Sequence, residues 1–420
     1  MSSGEVSRAA PTGVGLPAAA GGRLGRLGFL PRHEGLRALA LAAPLLLLLI
    51  LSFGVPIVAL LSRAVYDPTI AKALPHTALA LGQSSGDPPG EAAFAALQAD
   101  LTEAQARGSI FELAKSLNSR LPGARSQVLK TARRLTSGAP SSKADLVAAI
   151  PFWGEAQTWS TVRSGVHGLT SFYLLSALDL RWNADGSLGF VPTGEAVFLR
   201  VFARTFMVAA IVTLMTLALG FPLAYLITNL PPKFANIALV LVLLPFWTSI
   251  LVRTAAWTVL LQKFGLVNDA LIALGLTGDR LELMYSRLGL IIAMTHIQLP
   301  FTLLPIYSVM RAIPPSQLRA AHSLGARPLT AFHRVYLPQV APGVMAGCLL
   351  TFILCLGYYI TPALIGGASD QLISNFIANY VNVDLNWEMA AALSFMLLAF
   401  TLLLYAAFAR FLGLDRFKLV

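Results

Sequence analysis

PPSQLRAAHSLGARPLTAFHRVYLPQVAPG, residues 314–343, is the stretch that decides how this chain folds. It carries Arg319, Arg327 and Arg334, lacks Asp and Glu, and lies between two long apolar runs. At helical spacing Leu318, Ala321 and Leu324 form one apolar stripe, and Leu329, Phe332 and Tyr336 form a second. Gly325 between them takes positive φ without steric cost, which a tight helix-turn-helix requires. Two short helices joined at a glycine are therefore predicted. A basic, acid-free element of this kind reads as a docking surface; an amphipathic hairpin lying on a membrane is the other reading of the same arginines.

The rest of the chain supplies the membrane. Of 420 residues, 56% are hydrophobic and only 12% charged, with a mean hydropathy of +0.69. Soluble domains hold roughly 25% charged residues. Six apolar segments, near 38–61, 201–228, 236–259, 288–310, 343–364 and 389–410, are each long enough to cross ~30 Å of hydrocarbon. The first is longer than the apolar region of a signal peptide and no cleavage site follows it, so it reads as an uncleaved span. The net charge of +11 sits mostly beside these spans and no basic-aromatic reader motif occurs, which excludes nucleic acid as a partner. No GxxxxGK[ST] is present, so any ATP hydrolysis belongs to another chain. Cys348 and Cys355 lie two helical turns apart in one span and read as core residues.

Loop charges set an orientation. Lys233, the arginines 311, 319, 327 and 334, and Arg410, Arg416 and Lys418 fall on one side, whereas residues 366–388 carry Asp370, Asp384 and Glu388 and no Lys or Arg. By the positive-inside bias both termini and the 314–343 loop are cytoplasmic. The chain then divides into a disordered basic cytoplasmic tail (1–36), a first span (37–64), an extracytoplasmic helical insert (65–195) and a five-span core (196–420). In the insert 11 acidic and 11 basic residues balance. GQSSGDPPG at 82–90 reads as a linker, and Phe94, Leu97 and Leu101 keep a helical period. Ser109 to Glu112 is a predicted capping box opening a helix through Leu117 and Leu121 that Pro122-Gly123 stops. A further helical piece follows Ser142, and 172–185 is predicted to be a strand-poor approach to the second span. The insert shows no metal-ligand cluster and no nucleophile-base pair. It reads as a small helical cap, or more sharply as a gate or receptor platform.

Ala320-Ala321, Gly325 and Leu337-Pro338 resemble the cytoplasmic "EAA" coupling loop of membrane permeases of ABC importers. Leu244-Pro245-Phe246-Trp247-Thr248, Leu299-Pro300-Phe301, Gly357-Tyr358-Tyr359 and Gly366-Gly367 resemble the spermidine/putrescine branch of that family. The resemblance covers roughly 190–415 and touches the first span weakly; most of the insert lies outside it. It implies an all-α membrane protein with six transmembrane helices of the type I importer kind. It also implies that Leu318, Arg319, Ala320, Ala321, Leu324, Gly325, Ala326, Phe332, Leu337 and Pro338 lie in a groove of an ATPase subunit. Arg319 stands where the family usually has glutamate, so the acidic contact of that position is not carried over. Two ATP-binding subunits carrying ATP and Mg, a second permease chain, an extracytoplasmic solute-binding protein and a bacterial inner membrane are the implied surroundings. This chain itself would bind no cofactor and no metal and would do no covalent chemistry.

Phe246, Trp247, Arg253, Pro300, Tyr358 and Tyr359 are the candidate lining of a translocation pathway. Each has a plainer alternative. Pro245 and Pro300 serve equally as helix kinks, Trp257 and Trp387 as interfacial anchors, and Arg253 as a snorkelling or paired cation. His296 and Gln298, two residues apart, face different sides of a helix and suit interhelical hydrogen bonds better than a metal. No Asp or Glu falls inside a predicted span. Either a receptor answers the charges of a polyamine, or the solute is another small organic molecule. The rival function is a membrane sensor whose insert detects a ligand, against which stands the basic helix-turn-helix after the fourth span.

Overall fold

The computed structural model describes residues 32–84, 86, 88–138, 142–182, 187–192 and 194–411. The tail through residue 31, Ser85 of the linker, and Arg416 and Lys418 lie outside the described residues. Residues up to Ile57 and those from Val58 onward are separate compact units. The first apolar helix, α1 (Leu41–Ser62), buries none of its side chains within the protein. A helix apolar all round and unpacked is at home only in lipid.

Eight short helices follow: α2 (Thr69–Ala73), α3 (Pro75–Gly82), α4 (Glu91–Ala106), α5 (Ile110–Arg120), α6 (Ala124–Thr136), α7 (Lys143–Ala149), α8 (Ala156–Gly165) and α9 (Phe172–Ala177). The first seven close on Phe94, Leu97, Leu101, Ile110, Leu113, Leu117, Trp153 and Trp159, all fully buried, whereas α9 packs through Tyr173 and Ala177 with Val201, Phe202 and Leu393. Each such side chain contributes about 1.5–3 kcal/mol of burial. The two indoles are satisfied, Trp153 donating to Thr131 Oγ1 at 2.8 Å and Trp159 to the Trp153 carbonyl at 2.7 Å. Two expectations fail here. The capping box at Ser109 does not form, because Ser109 has helical backbone (φ −81°, ψ −3°) and cannot turn its hydroxyl onto the third amide. The box is made instead by extended Ser142 with Asp145. The approach to the second span also carries an antiparallel hairpin, β1 (Leu180–Trp182) against β2 (Leu188–Phe190).

The membrane core consists of α10 (Phe198–Asn229), α11 (Pro232–Leu243), α12 (Ile250–Leu260), α13 (Leu266–Ala273), α14 (Arg287–Ala312), α15 (Pro315–Ser323), α16 (Pro328–Leu356), α17 (Ile360–Ile365), α18 (Ile373–Asn382) and α19 (Trp387–Phe411). Among the described residues five helices are long and apolar enough to span, six if the bent pair α11 and α12 counts as one. The start of α10 is set by Asp179. Its carboxylate accepts the amides of Val197, Phe198 and Leu199 at 2.8–3.1 Å, satisfying donors a helix leaves unpaired.

Helices α10, α14 and α16 pack on one another through small residues. A Cβ at Gly347 would lie 2.6 Å from the Thr302 carbonyl, and one at Gly343 2.9 Å from the Pro305 carbonyl, so only glycine allows the approach. At the same level Thr302 donates to Thr216 (2.8 Å) and lies 2.6 Å from the Thr351 hydroxyl. Thr216 in turn donates to the Thr213 carbonyl. A buried relay of hydroxyls thus joins the three helices with its members satisfied.

Two spans differ from expectation. The segment read as one span at 236–259, with a kink offered at Pro245, bends by 100° at Thr248–Ser249. Pro245 sits in a 3-10 turn over Leu244–Trp247, the Thr248 amide bonds back to the Pro245 carbonyl, and Ser249 caps α12 by accepting from the Val252 amide. The fifth span begins at Pro328 and ends at Leu356, not at 343 and 364. A π-helical turn at Phe332–Tyr336 carries the chain into Leu337-Pro338, with the Leu337 amide bonding five residues back to Phe332. The wider turn accommodates the proline ring without breaking the helix.

Candidate coupling turn and polar pathway

The second half of the 314–343 stretch is thus the opening of α16, not a separate short helix. What remains as a loop is α15 and the turn after it. Gly325 has φ +85°, its amide bonds to the His322 carbonyl, and the Ala326 amide reaches the Ala321 carbonyl at 3.0 Å. These are the paired bonds of a Schellman termination, with glycine in the left-handed position it favours. Pro328 then restarts the helix after extended Arg327.

The two apolar stripes do not each cover one face. Leu318, Phe332 and Tyr336 pack inward on Ile306, Met310, Ala224 and Ile227, and Phe332 stacks on Tyr336 at 5.6 Å between the rings of Phe221 and Tyr225. Leu324 and Leu329 point the other way and are 89% and 74% exposed. Arg319, Ala320, Gly325, Arg327 and Pro338 are exposed, whereas Ala321, Ala326 and Leu337 are half-buried. The result is an outward pair of leucines amid arginines, on a turn rooted in the ends of α10 and α14. Period alone could not separate the inward from the outward residues, because both stripes have helical spacing.

The candidate pathway residues separate into two groups. Phe246 packs on Phe301, ring centroids 4.8 Å apart, one residue after buried Pro300, while Trp247 is exposed. Arg253 lies in the first turn of α12 after the bend, not in the middle of a span, and its Nε has no hydrogen-bond partner. The half-buried Trp257 indole donates to Nδ1 of exposed His296 at 3.2 Å. Among the described residues, buried Thr295 Oγ1 and Gln298 Oε1 likewise lack partners.

Helix α17 packs on α12 through Thr254 and Thr361, hydroxyls 3.1 Å apart. The break at residues 357–359 is held by Ser374 donating to the Tyr358 carbonyl and Asn375 to the Tyr359 carbonyl. Sequence reasoning missed Ser374 and Asn375, which sit on the short helix α18 between spans; their only signal was polarity beside an apolar run. The arrangement offers unpaired donors and acceptors where two helices are interrupted, which is what a polar solute needs to cross apolar surroundings.

Within the insert, Asp67 joins the start of the segment to α5 and α9. Its buried carboxylate accepts from Arg120 at 2.9 Å, Tyr173 at 2.9 Å, Ser116 at 3.2 Å and the Thr69 amide at 3.1 Å. Burial alone would raise its pKa, but these bonds outweigh it and hold the group below the usual carboxylate value. Burial, with Asp67 alongside, pushes the Tyr173 hydroxyl well up. Elsewhere in the insert the fold gathers His76, Asp100 and Glu103 within 4.8 Å. Asp100 there spends its oxygens on His76, Thr77 and their amides at the start of α3, and Glu103 pairs with Arg107.

The family model described as "Binding-protein-dependent transport system inner membrane component" matches residues 197–413. The spermidine/putrescine transport system permease protein PotB of Haemophilus influenzae is 32% identical over 214 residues, 51% of this chain and 75% of the relative. PotB of Escherichia coli is 34% identical over 204 residues, covering 48% and 74%. Among solved structures, a crystal structure of a bacterial alginate ABC transporter with a pentasaccharide-bound periplasmic protein has a chain 19% identical to this one. It has a TM-score of 0.43 and covers 51% of this chain and 77% of its own. The match begins at the first turn of α10 and takes in the bent pair, the Schellman turn and the span after it, and leaves the insert out. The chain belongs to the inner-membrane permease components of binding-protein-dependent ABC importers and resembles their polyamine branch.

Proposed function

We propose that this permease moves a small polyamine, such as spermidine or putrescine, by alternating access driven from separate ATPase subunits through the turn at 315–327. The observation that carries the proposal is the exposed Leu324 and Leu329 on a turn whose other face is rooted in α10 and α14. Force applied at those leucines passes through Phe332 and Tyr336 directly into the membrane core. Counting the bent pair as one span, the turn follows the fourth crossing and the insert follows the first. The two therefore lie on opposite sides, the basic turn cytoplasmic with both termini and the insert outside, where a solute-binding protein arrives. A second permease, identical or related, completes the pathway, with Arg253, Gln298, Tyr358 and Tyr359 facing the solute. Alternating access opens this pathway to one side at a time as the broken helices α12 and α17 shift.

The polyamine assignment rests on the PotB likeness. Spans two to five contain no Asp or Glu, so the receptor carries the cation's counter-charges and the pathway offers polar and aromatic walls. The test is uptake of radiolabelled spermidine by cells lacking the chain. Uptake should return with the wild-type gene and not with a Leu324→Asp/Leu329→Asp variant that still reaches the membrane. Equal uptake with that variant defeats the coupling assignment, and no spermidine uptake with the wild type defeats the cargo.

A further inference from the structure

Where the insert meets the last span a cavity of about 260 Å³ opens between the end of α1, helix α5 and the start of α19. Arg63, Asp67, Glu112, Lys115, Trp387 and Glu388 are among its walls, with Tyr173 beside Asp67. Two of these charges are already answered. Asp67 is bound by buried Arg120, and the Lys115 ammonium is turned onto the Leu385 carbonyl at 2.9 Å. Glu112 has an exposed carboxylate on α5. Among the described residues the ion-pair partner of Glu388 is the Arg63 guanidinium, at 3.6 Å, which is long for a charge-assisted bond. That guanidinium also stands over the Trp387 ring, 6.0 Å from its centroid, at the limit of a cation-π contact. Arg63 is half exposed and so is held loosely.

A carboxylate and an indole face converging on one cation is how proteins take up organic ammonium groups. We infer that this cavity is a site for a small aliphatic diamine, in which one ammonium displaces Arg63 from Glu388 and Trp387 and the other is answered by Glu112. The volume lies below the ~300–1,000 Å³ of drug-sized sites, which suits a short ligand. Arg63 acts as a resident competitor that keeps the carboxylate neutralised when no diamine is bound. The site supplies near the outer mouth the acidic groups that spans two to five lack. The inference rests on the polyamine reading for its biological meaning, but not for its chemistry.

The test uses the full chain in lipid nanodiscs with 1,4-diaminobutane as the probe, followed by calorimetry and by fluorescence of Trp387. Saturable binding is expected at a Kd in or below the millimolar range. Glu388→Gln should weaken it by about tenfold or more, the worth of a charge-assisted contact, and Trp387→Leu by about two- to fivefold, the worth of an exposed cation-π contact. Arg63→Ala should tighten it several-fold, an effect that mere damage to the fold would not produce. Unchanged or weaker binding in Arg63→Ala, or wild-type binding in Glu388→Gln, overturns the site, as does absence of binding in both wild type and Arg63→Ala. If the diamine binds as described but cells import no polyamine, the site stands and the cargo assignment falls.

Discussion

Replacing Gly325 probes the turn with almost no side effects. Its φ of +85° costs an L-residue about 1–2 kcal/mol, and a β-branched side chain sits at the upper end. A Cβ built there meets no heavy atom within 4 Å, so no clash or change in burial enters. Gly325→Val should therefore cost about 2 kcal/mol, Gly325→Ala about 1 kcal/mol, and Gly325→Asn much less, since asparagine tolerates the left-handed region. One to two kcal/mol lowers the population of the docking turn by a factor of about 5–30. Because the strain stays outside the α10, α14 and α16 packing, the thermal midpoint of the membrane core should not move. The assay is reconstitution with the ATPase subunits, measuring their retention and the solute imported per ATP hydrolysed. Wild-type coupling in Gly325→Val, or equal damage from valine and asparagine, would falsify the docking role.

Other consequences are equally direct. Arg120→Ala leaves Asp67 buried without its counter-charge and should destabilise by about 3–5 kcal/mol, read as an earlier unmasking of Cys355 to a thiol dye on heating. The folded Asp67 has a lowered pKa, so its stabilisation is complete above the ordinary value of 3.8 and is lost as pH falls below it; Tyr173 has a raised one, so stability should also fall as pH rises past 10.0. Both edges of a stability-pH profile should flatten in Asp67→Asn/Tyr173→Phe. Replacing residues 86–164 by a Gly-Ser segment removes Ser116 and Arg120 from Asp67. A lowered melting temperature is then expected along with any loss of receptor capture, and an unchanged one contradicts the anchoring role. On a background without Cys348 and Cys355, a cysteine at Gln83 should react with an impermeant thiol reagent outside intact cells and one at Ser316 should not; the reverse pattern overturns the orientation.

Much of this protein was legible in one dimension because lipid makes a one-dimensional demand. Length of apolar run and absence of carboxylates follow from the cost of burying charge and backbone, and the sequence states both directly. The turn at Gly325 was legible for a related reason, since positive φ at a helix end is written in residue type. Family membership could be read from short local motifs, and the matched residues, 197–413, agree with the 190–415 over which the resemblance was read.

Tertiary structure decided what depends on partners far along the chain. Leu318 and Leu324 share one helical stripe, yet Leu318 is covered and Leu324 is bare, because only the ends of α10 and α14 decide which side is inside. Ser109 carried the sequence signature of a cap, but the way α4 runs into α5 gave it helical backbone and passed the box to Ser142. Pro245 announced a kink without its size, since a 100° bend requires Ser249 to be free to cap the next helix and Thr361 to receive Thr254. Asp67 looked like one of many balanced charges in the insert. Burial among Arg120, Tyr173 and Ser116, residues separated from it by up to 106 positions, turned it into the joint that holds the start of the insert to α5 and α9.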